Sequence, residues 1–325
     1  MLSRVADSLY WMSRYIERAE NTARFIDVNL SLMLDQPGDE QWEPLVTTTG
    51  DQELFRSRYE RADRESVVRF LAFDREYHSS ILSSVRAARE NARAVRSAIT
   101  SDMWLQLNKF YLLVQEAATR GHAAGYDFFA EVKNASYLFA GITDGTMSRD
   151  EAWHFVRLGR LLERADKTSR IVDVKYYLLL PSISDVGKPV DELQWAALLR
   201  SASGLRMYRH RHHRVTPENA VAFLILDRDF PRAVRYCIEK ALRSLRTIDD
   251  ESAEHFEGTA LERMDALHRE LARLEVDEIL KAGLHEFVDD LQARLNSVDE
   301  ALQAALFPDQ VQSQTQTQPA TRSDA

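Results

Sequence analysis

The 325-residue chain contains one cysteine, Cys237, so it can form no internal disulfide framework, and a reducing cytoplasm is the expected setting. Its neighbours, Val-Arg-Tyr-Cys-Ile-Glu, read as ordinary helix, so Cys237 is expected to be a buried structural thiol and not a nucleophile. Glycine and proline are scarce, at 11 and 8, which suits a mainly helical protein and leaves no G-x-x-x-x-G-K-[ST] or G-x-G-x-x-G loop to cradle phosphates. There is no H-E-x-x-H sequence, and zinc held by cysteines is ruled out by count. Basic residues are outnumbered 42 to 51 for a net charge of −9, which disfavours nucleic acid as the main partner while allowing a local basic cleft. Apolar runs such as Tyr176 to Leu180 are far short of a membrane span, and Arg4 and Asp7 interrupt any signal-peptide core, so neither membrane insertion nor export is expected.

What the chain has is a stretch that occurs twice. Residues 14–28, R-Y-I-E-R-A-E-N-T-A-R-F-I-D-V, match residues 160–174, R-L-L-E-R-A-D-K-T-S-R-I-V-D-V, at eight of fifteen positions. At 100° per residue, Met12, Tyr15, Ile16, Ala19, Ala23 and Ile26 fall on one arc of a helix, and Arg14, Glu17, Asn21 and Arg24 on the opposite one. The second copy sets Leu158, Leu161, Leu162, Ala165 and Val172 against Arg160, Glu163, Lys167 and Arg170. A solvated face laced with weak ion pairs would let Arg drift to Lys, yet five charges keep their type in both copies. That retention favours a role depending on guanidinium geometry.

The copies share an offset of 146 residues; beyond the loop at 181–189, which corresponds to the one at 36–40, the offset becomes 153, an insertion of seven residues in the second half. There Trp42 aligns with Trp195, Phe70-Leu71-x-x-Asp74-Arg75-Glu76-Tyr77 with Phe223-Leu224-x-x-Asp227-Arg228-Asp229-Phe230, and Arg56, Arg58 and Arg61 with Arg209, Arg211 and Arg214. The expected fold is therefore all-α, an internally duplicated multi-helix bundle with a pseudo-two-fold relation between repeats 1–145 and 146–307 in one body. A first helix should run over 3–34. Ser148 and Glu151 have capping-box spacing for a helix reaching about 180, and Thr216-Pro217 should open another. One helix is expected through 67–77 and a last one over about 261–306, interrupted near Gly283. The Gln/Thr-rich stretch 308–325 has little to bury and reads as a disordered tail.

Candidate chemistry lies among the charges. The turn Tyr208-Arg209-His210-Arg211-His212-His213-Arg214 resembles a metal site, but its first-half counterpart keeps the arginines and replaces the histidines by Ser57, Tyr59 and Glu60. The repeated feature is cationic, so an anion contact or a solvated turn is expected there in place of a metal. Glu17 with Glu20 could serve in acid–base work, although each has a basic neighbour able to pair with it.

The run from Met1-Leu2-Ser3-Arg4-Val5-Ala6-Asp7-Ser8-Leu9-Tyr10-Trp11-Met12-Ser13-Arg14 through Glu17-Arg18-Ala19-Glu20 to Arg24, with Thr146 through Glu163-Arg164-Ala165-Asp166, resembles the bacterial alpha-E domain family, over about 1–307. Such domains are typically encoded beside, or fused to, circularly permuted ATP-grasp proteins, often with a transglutaminase-like peptidase, in systems thought to join carboxylates to amines at the expense of ATP. The resemblance carries no established reaction, and its motif maps to Glu17, Arg18, Glu163 and Arg164. It implies a non-catalytic helical partner, without cofactor, that binds the ligase or an anionic intermediate through two Glu-Arg faces comprising Arg14, Glu17, Arg18, Arg24, Arg160, Glu163, Arg164 and Arg170, with Arg209 and Arg211 as further contacts. Two other readings stay open. One is an enzyme of the same pathway using Glu17 or Glu163 as acid or base with arginines holding an anionic substrate; the other is a purely structural scaffold.

Overall fold

Two long helices, α1 (Ser3–Asp35) and α8 (Glu151–Leu178), carry the two copies of the repeated stretch and pack on each other at the centre of the computed structural model. The structure describes residues 1–35, 42–120, 125–178, 189–251 and 260–306; the expected loop at 36–40, all but the last residue of the loop at 181–189, and the expected tail lie outside them. The first half continues with α2 (Glu43–Thr49), α3 (Gln52–Arg56), α4 (Arg64–Val68), α5 (Ile81–Ala94), α6 (Ser101–Arg120) and α7 (Tyr126–Thr146). After α8 come α9 (Pro189–Ser201), α10 (Leu205–Arg211), α11 (Pro217–Val221), α12 (Val234–Glu251), α13 (Ala260–Arg273), α14 (Val276–Ala282) and α15 (Leu284–Leu306). Among the described residues there is no strand, and the protein is all-α.

Local chemistry accounts for several helix starts. Ser80 accepts from the Ser83 amide at 3.1 Å to begin α5, and Thr216 accepts from Asn219 at 3.3 Å to begin α11, with Pro217 at its first position. The start of α8 differs from expectation. Asp150 accepts from the Trp153 amide at 3.2 Å, so the side chain next to the helix caps it in place of Ser148. The expected helix over 67–77 instead ends at 73: α4 and α11 each run into a π-helical turn, Arg69–Phe73 and Ala222–Leu226, closed by Asp74 or Asp227. Asp74 Oδ1 accepts the Glu76 and Tyr77 amides at 2.9 and 3.4 Å, and Asp227 Oδ1 those of Asp229 and Phe230 at 2.8 and 2.7 Å. Both carboxylates turn the chain out of the helix, as side chains of this length do. The last helical stretch is interrupted twice, after Arg273 and again at Gly283, whose φ of +97° only glycine adopts readily.

Around the central pair, α1 packs against α5 and α7, and α8 against α12 and α15. The short helices cross over: α2, from the first half, lies on α8, while α9, from the second, lies on α1. Arg170 of α8 donates to the Thr48 carbonyl of α2 at 3.3 Å, and Arg24 of α1 to the Ser201 carbonyl of α9 at 3.2 Å. Each half is thereby pinned to the other's long helix.

The apolar arc of α1, with Leu9, Met12, Ile16, Ala19, Ala23 and Ile26, is buried as its periodicity requires. The polar arc is buried too, because it faces α8. The helices can approach because Gly159 has no side chain: a Cβ there would strike the Tyr10 carbonyl oxygen and Ser13 Oγ. Substituting Gly159→Val should therefore lower unfolding stability by about 1–3 kcal/mol or more, as overpacking does. A urea titration showing no loss would mean that α1 and α8 do not cross in contact at this point.

Candidate functional site: crossed glutamate–arginine pairs and the cavity beside them

Residues adjacent on a helix point about 100° apart, and neither Glu17 with Arg18 nor Glu163 with Arg164 forms a pair. They pair across the helix crossing instead. Arg18 of α1 donates Nε and Nη2 to Glu163 of α8 at 2.7 and 3.0 Å, and Arg164 of α8 donates Nε and Nη2 to Glu17 of α1 at 2.9 and 2.8 Å. The result is two forked, charge-assisted pairs, each joining one copy of the stretch to the other.

Further cations surround both carboxylates. Glu163, with no exposed surface, also accepts from Arg14 Nε at 2.9 Å and has the Lys167 ammonium at 3.5 Å. Arg14 in turn reaches Asp299 of α15 at 2.7 Å and the Tyr10 hydroxyl at 3.1 Å. Glu17, 2% exposed, accepts from Arg232 at 3.1 Å and from Asn21 Nδ2 at 3.0 Å. Arg232 spans Glu17, Asn21 and Glu20, and Glu20 also receives Arg24 and, at 2.7 Å, the Ser136 hydroxyl. At the place of Glu20 in the other copy, Asp166 receives Lys167 at 2.8 Å and Arg170 at 3.2 Å.

Burial alone would push these carboxyl groups up. For Glu17 the charges of Arg164 and Arg232 outweigh it, and for Glu163 those of Arg18, Lys167 and Arg14, so both are held well below the usual carboxylate range. Asp166, buried likewise, is brought down to about 2 by Lys167 and Arg170.

Beside the Glu163 pair lies a cavity of about 300 Å³. Its charged lining is Arg14, Arg18, Lys167 and Arg170 against Asp166 and Asp51, and Thr22, Thr48, Thr49, Tyr77, His78, Ser79 and Asn296 complete its polar wall. The Tyr77 hydroxyl donates to Asp51 Oδ2 at 2.9 Å.

Of the residues expected to form two binding faces, Arg14, Glu17, Arg18, Arg24, Glu163, Arg164 and Arg170 are thus brought together by the crossing, mostly in contact with one another. Arg160 stands apart from the network: its Nε has no hydrogen-bond partner and its nearest carboxylate, Asp144, is 4.0 Å away. Arg211 pairs with Asp227 and, at 3.2 Å, Asp229, as Arg58 pairs with Asp74 at 3.1 Å and Glu76. Arg209 borders a separate open surface depression with Arg200, Arg206 and His210. Among the described residues, no three His, Cys, Asp or Glu are grouped as metal ligands. Sequence reasoning missed Arg232, Asp299 and the wall residues Asp51, Tyr77 and Ser79. Extending the comparison of the two halves to position 232 would have flagged one of them, because Arg232 stands where the first half has Ser79.

Fold and site together define an all-α protein whose two long helices are clamped by crossed Glu–Arg pairs. The family described as a predicted alpha-helical domain with a conserved ER motif, Alpha-E, matches residues 1–307, and the chain belongs to it. An uncharacterised protein of Mycobacterium bovis is 25% identical over 93% of this chain, and one of Mycobacterium tuberculosis is 24% identical over the same share. This chain spans 36% of the length of either relative. No solved structure matches it.

Replacing Glu163 by Gln leaves Arg14, Arg18 and Lys167 facing a neutral partner, and should cost about 3–5 kcal/mol. The depressed carboxyls also fix a pH dependence. In the unfolded chain Glu17 and Glu163 take up protons near 4.5, whereas folded they resist, so their contribution is complete above that value and is lost as pH falls through the folded values. Thermal melts of the parent chain should fall steeply below about pH 4.5, and the Glu163→Gln variant should show a shallower fall. Parallel pH profiles would contradict the ionised, paired state of Glu163.

Proposed function

We propose that this Alpha-E chain is a non-catalytic binding member of an ATP-grasp carboxylate–amine ligation system, working beside a circularly permuted ATP-grasp protein and holding an anionic substrate or intermediate for it. The observation that carries this reading is the state of the two motif glutamates. A general acid or base needs a proton affinity near the working pH, and Glu17 and Glu163 are each kept ionised by a forked arginine and further cations. That favours a clamp over the alternative in which either residue moves protons for a reaction. Because the pairs are spent on each other, ligand binding falls to donors still facing open space, and those of Arg18, Lys167 and Arg170 line the cavity.

We also infer that the halves arose by duplication and are related by a pseudo-two-fold axis near the Ser13–Gly159 crossing. The support is the recurrence of contacts at the two offsets. Arg18–Glu163 recurs as Arg164–Glu17, Arg24–Ser201 as Arg170–Thr48, and Arg58–Asp74 as Arg211–Asp227.

Reconstitution tests the functional reading. The chain alone, supplied with ATP and candidate amines and acids, should form no product, and adding it to the ATP-grasp protein encoded with it should raise that enzyme's product yield through a measurable complex. Product from the chain alone would refute the non-catalytic assignment. Absence of both a complex and a rate effect would refute the partnership.

A further inference from the structure

The two halves differ at one corner, and the difference is chemical. On the Glu17 side Arg232 fills the space: 5% exposed, it donates to Glu17 and Asn21 at 3.1 Å each and to Glu20. At the matching place on the Glu163 side the residue is Ser79, and Lys167 stands where the other copy has Asn21. The Lys167 ammonium, 2.8 Å from Asp166 and 3.5 Å from Glu163, supplies the positive charge that Arg232 supplies opposite. The charge is replaced but the volume is not, and the cavity of about 300 Å³ lies where a guanidinium would have been.

The surrounding residues change in the same sense. Ala202, Gly204, Phe230 and Pro231 at the sealed corner correspond to Thr49, Asp51, Tyr77 and His78 at the open one. The sealed corner is tight: a Cβ on Gly204 would meet the Phe223 and Phe230 rings at 2.9 Å. Hydrogen-bond capacity differs too. Arg164 gives its remaining Nη1 to the Pro231 carbonyl at 3.4 Å, whereas Arg18 Nη1 has no acceptor among the described residues. Among the described residues Arg170 Nη2 and one Lys167 proton are likewise unused, and Asp51 Oδ1 accepts nothing, its Oδ2 being taken by Tyr77. These unpaired groups are reachable from solvent and face one cavity, so the open corner suits a ligand that supplies acceptors to the cations and a donor to Asp51.

We propose that this cavity binds a small zwitterion, an amino acid or dipeptide, with its carboxylate toward Arg18, Lys167 and Arg170 and its ammonium toward Asp51. A volume at the small end of ligand sites, which run to about 1,000 Å³, suits such a molecule better than a nucleotide. The assignment deepens the ligation reading, on which it rests for the choice of amino-acid chemistry, by naming the class of substrate held.

The test is titration of the full chain alone by calorimetry with glycine, glutamate, lysine, Ala-Ala and Ala-Glu, the N-acetylated and C-amidated forms of the dipeptides, and inorganic phosphate. At least one zwitterion should bind saturably, and blocking either terminus of a dipeptide that binds should weaken it about tenfold or more. No saturable binding by any zwitterion, equal binding by free and N-acetylated forms, or preference for phosphate would each overturn the proposal. The double variant Ser79→Arg, Lys167→Asn rebuilds the sealed corner and should abolish binding with its melting temperature maintained; binding that survives in it would place the site elsewhere. Should that variant fail to fold, the isosteric Asp51→Asn carries the test, with an expected loss of about tenfold in zwitterion affinity and no loss for C-terminal carboxylates already N-acetylated. Because no partner protein is present, zwitterion binding without any ATP-grasp complex would remove the partnership and leave the site, and the converse result would remove the site alone.

Discussion

Four charges crossed between two helices set the terms for everything else in this protein. Glu17, Arg18, Glu163 and Arg164 form two forked pairs with buried carboxylates, and Arg14 and Arg232 extend that network to Asp299 and Glu20. Buried ion pairs are weak contributors to net stability, since desolvation consumes most of the attraction, but they are intolerant of misalignment. A slip of one residue along α1 would turn Arg18 about 100° away from Glu163 and orphan both pairs. The pairs are therefore best understood as fixing the register of the crossing, with Gly159 supplying the clearance that makes the register reachable.

Once the register is set, the short helices finish the clamp. Arg24 and Arg170 each hold a carboxylate on their own helix and a backbone carbonyl of a helix from the opposite half, Ser201 or Thr48. Neither half can leave without breaking a hydrogen bond from an arginine of the other. This interlock explains why a chain with two recognisable halves forms one core.

The two corners beside the crossed pairs are filled differently. Where Arg232 closes one corner and Ser79 leaves the other open, the same pattern of carboxylates serves packing on one side and lines a polar cavity on the other. Keeping the charge through Lys167 while giving up the volume preserves the clamp.

The amino-acid sequence by itself determined the helical class, the two copies and the identity of the paired residue types, because periodicity and retained charge type are properties of local chain geometry. It marked Thr216 as a cap and Gly283 as a break for the same reason. It could not show that the polar arc of α1 is interior, since an arc of Arg, Glu and Asn reads alike whether it meets water or a matching arc. Nor could it show that Glu17 belongs with Arg164 and not with Arg18, or that Ser79 borders a cavity. Those facts depend on which helices cross and at what register, and that is decided by long-range packing: residues about 150 positions apart meet only after α1 and α8 have closed on each other.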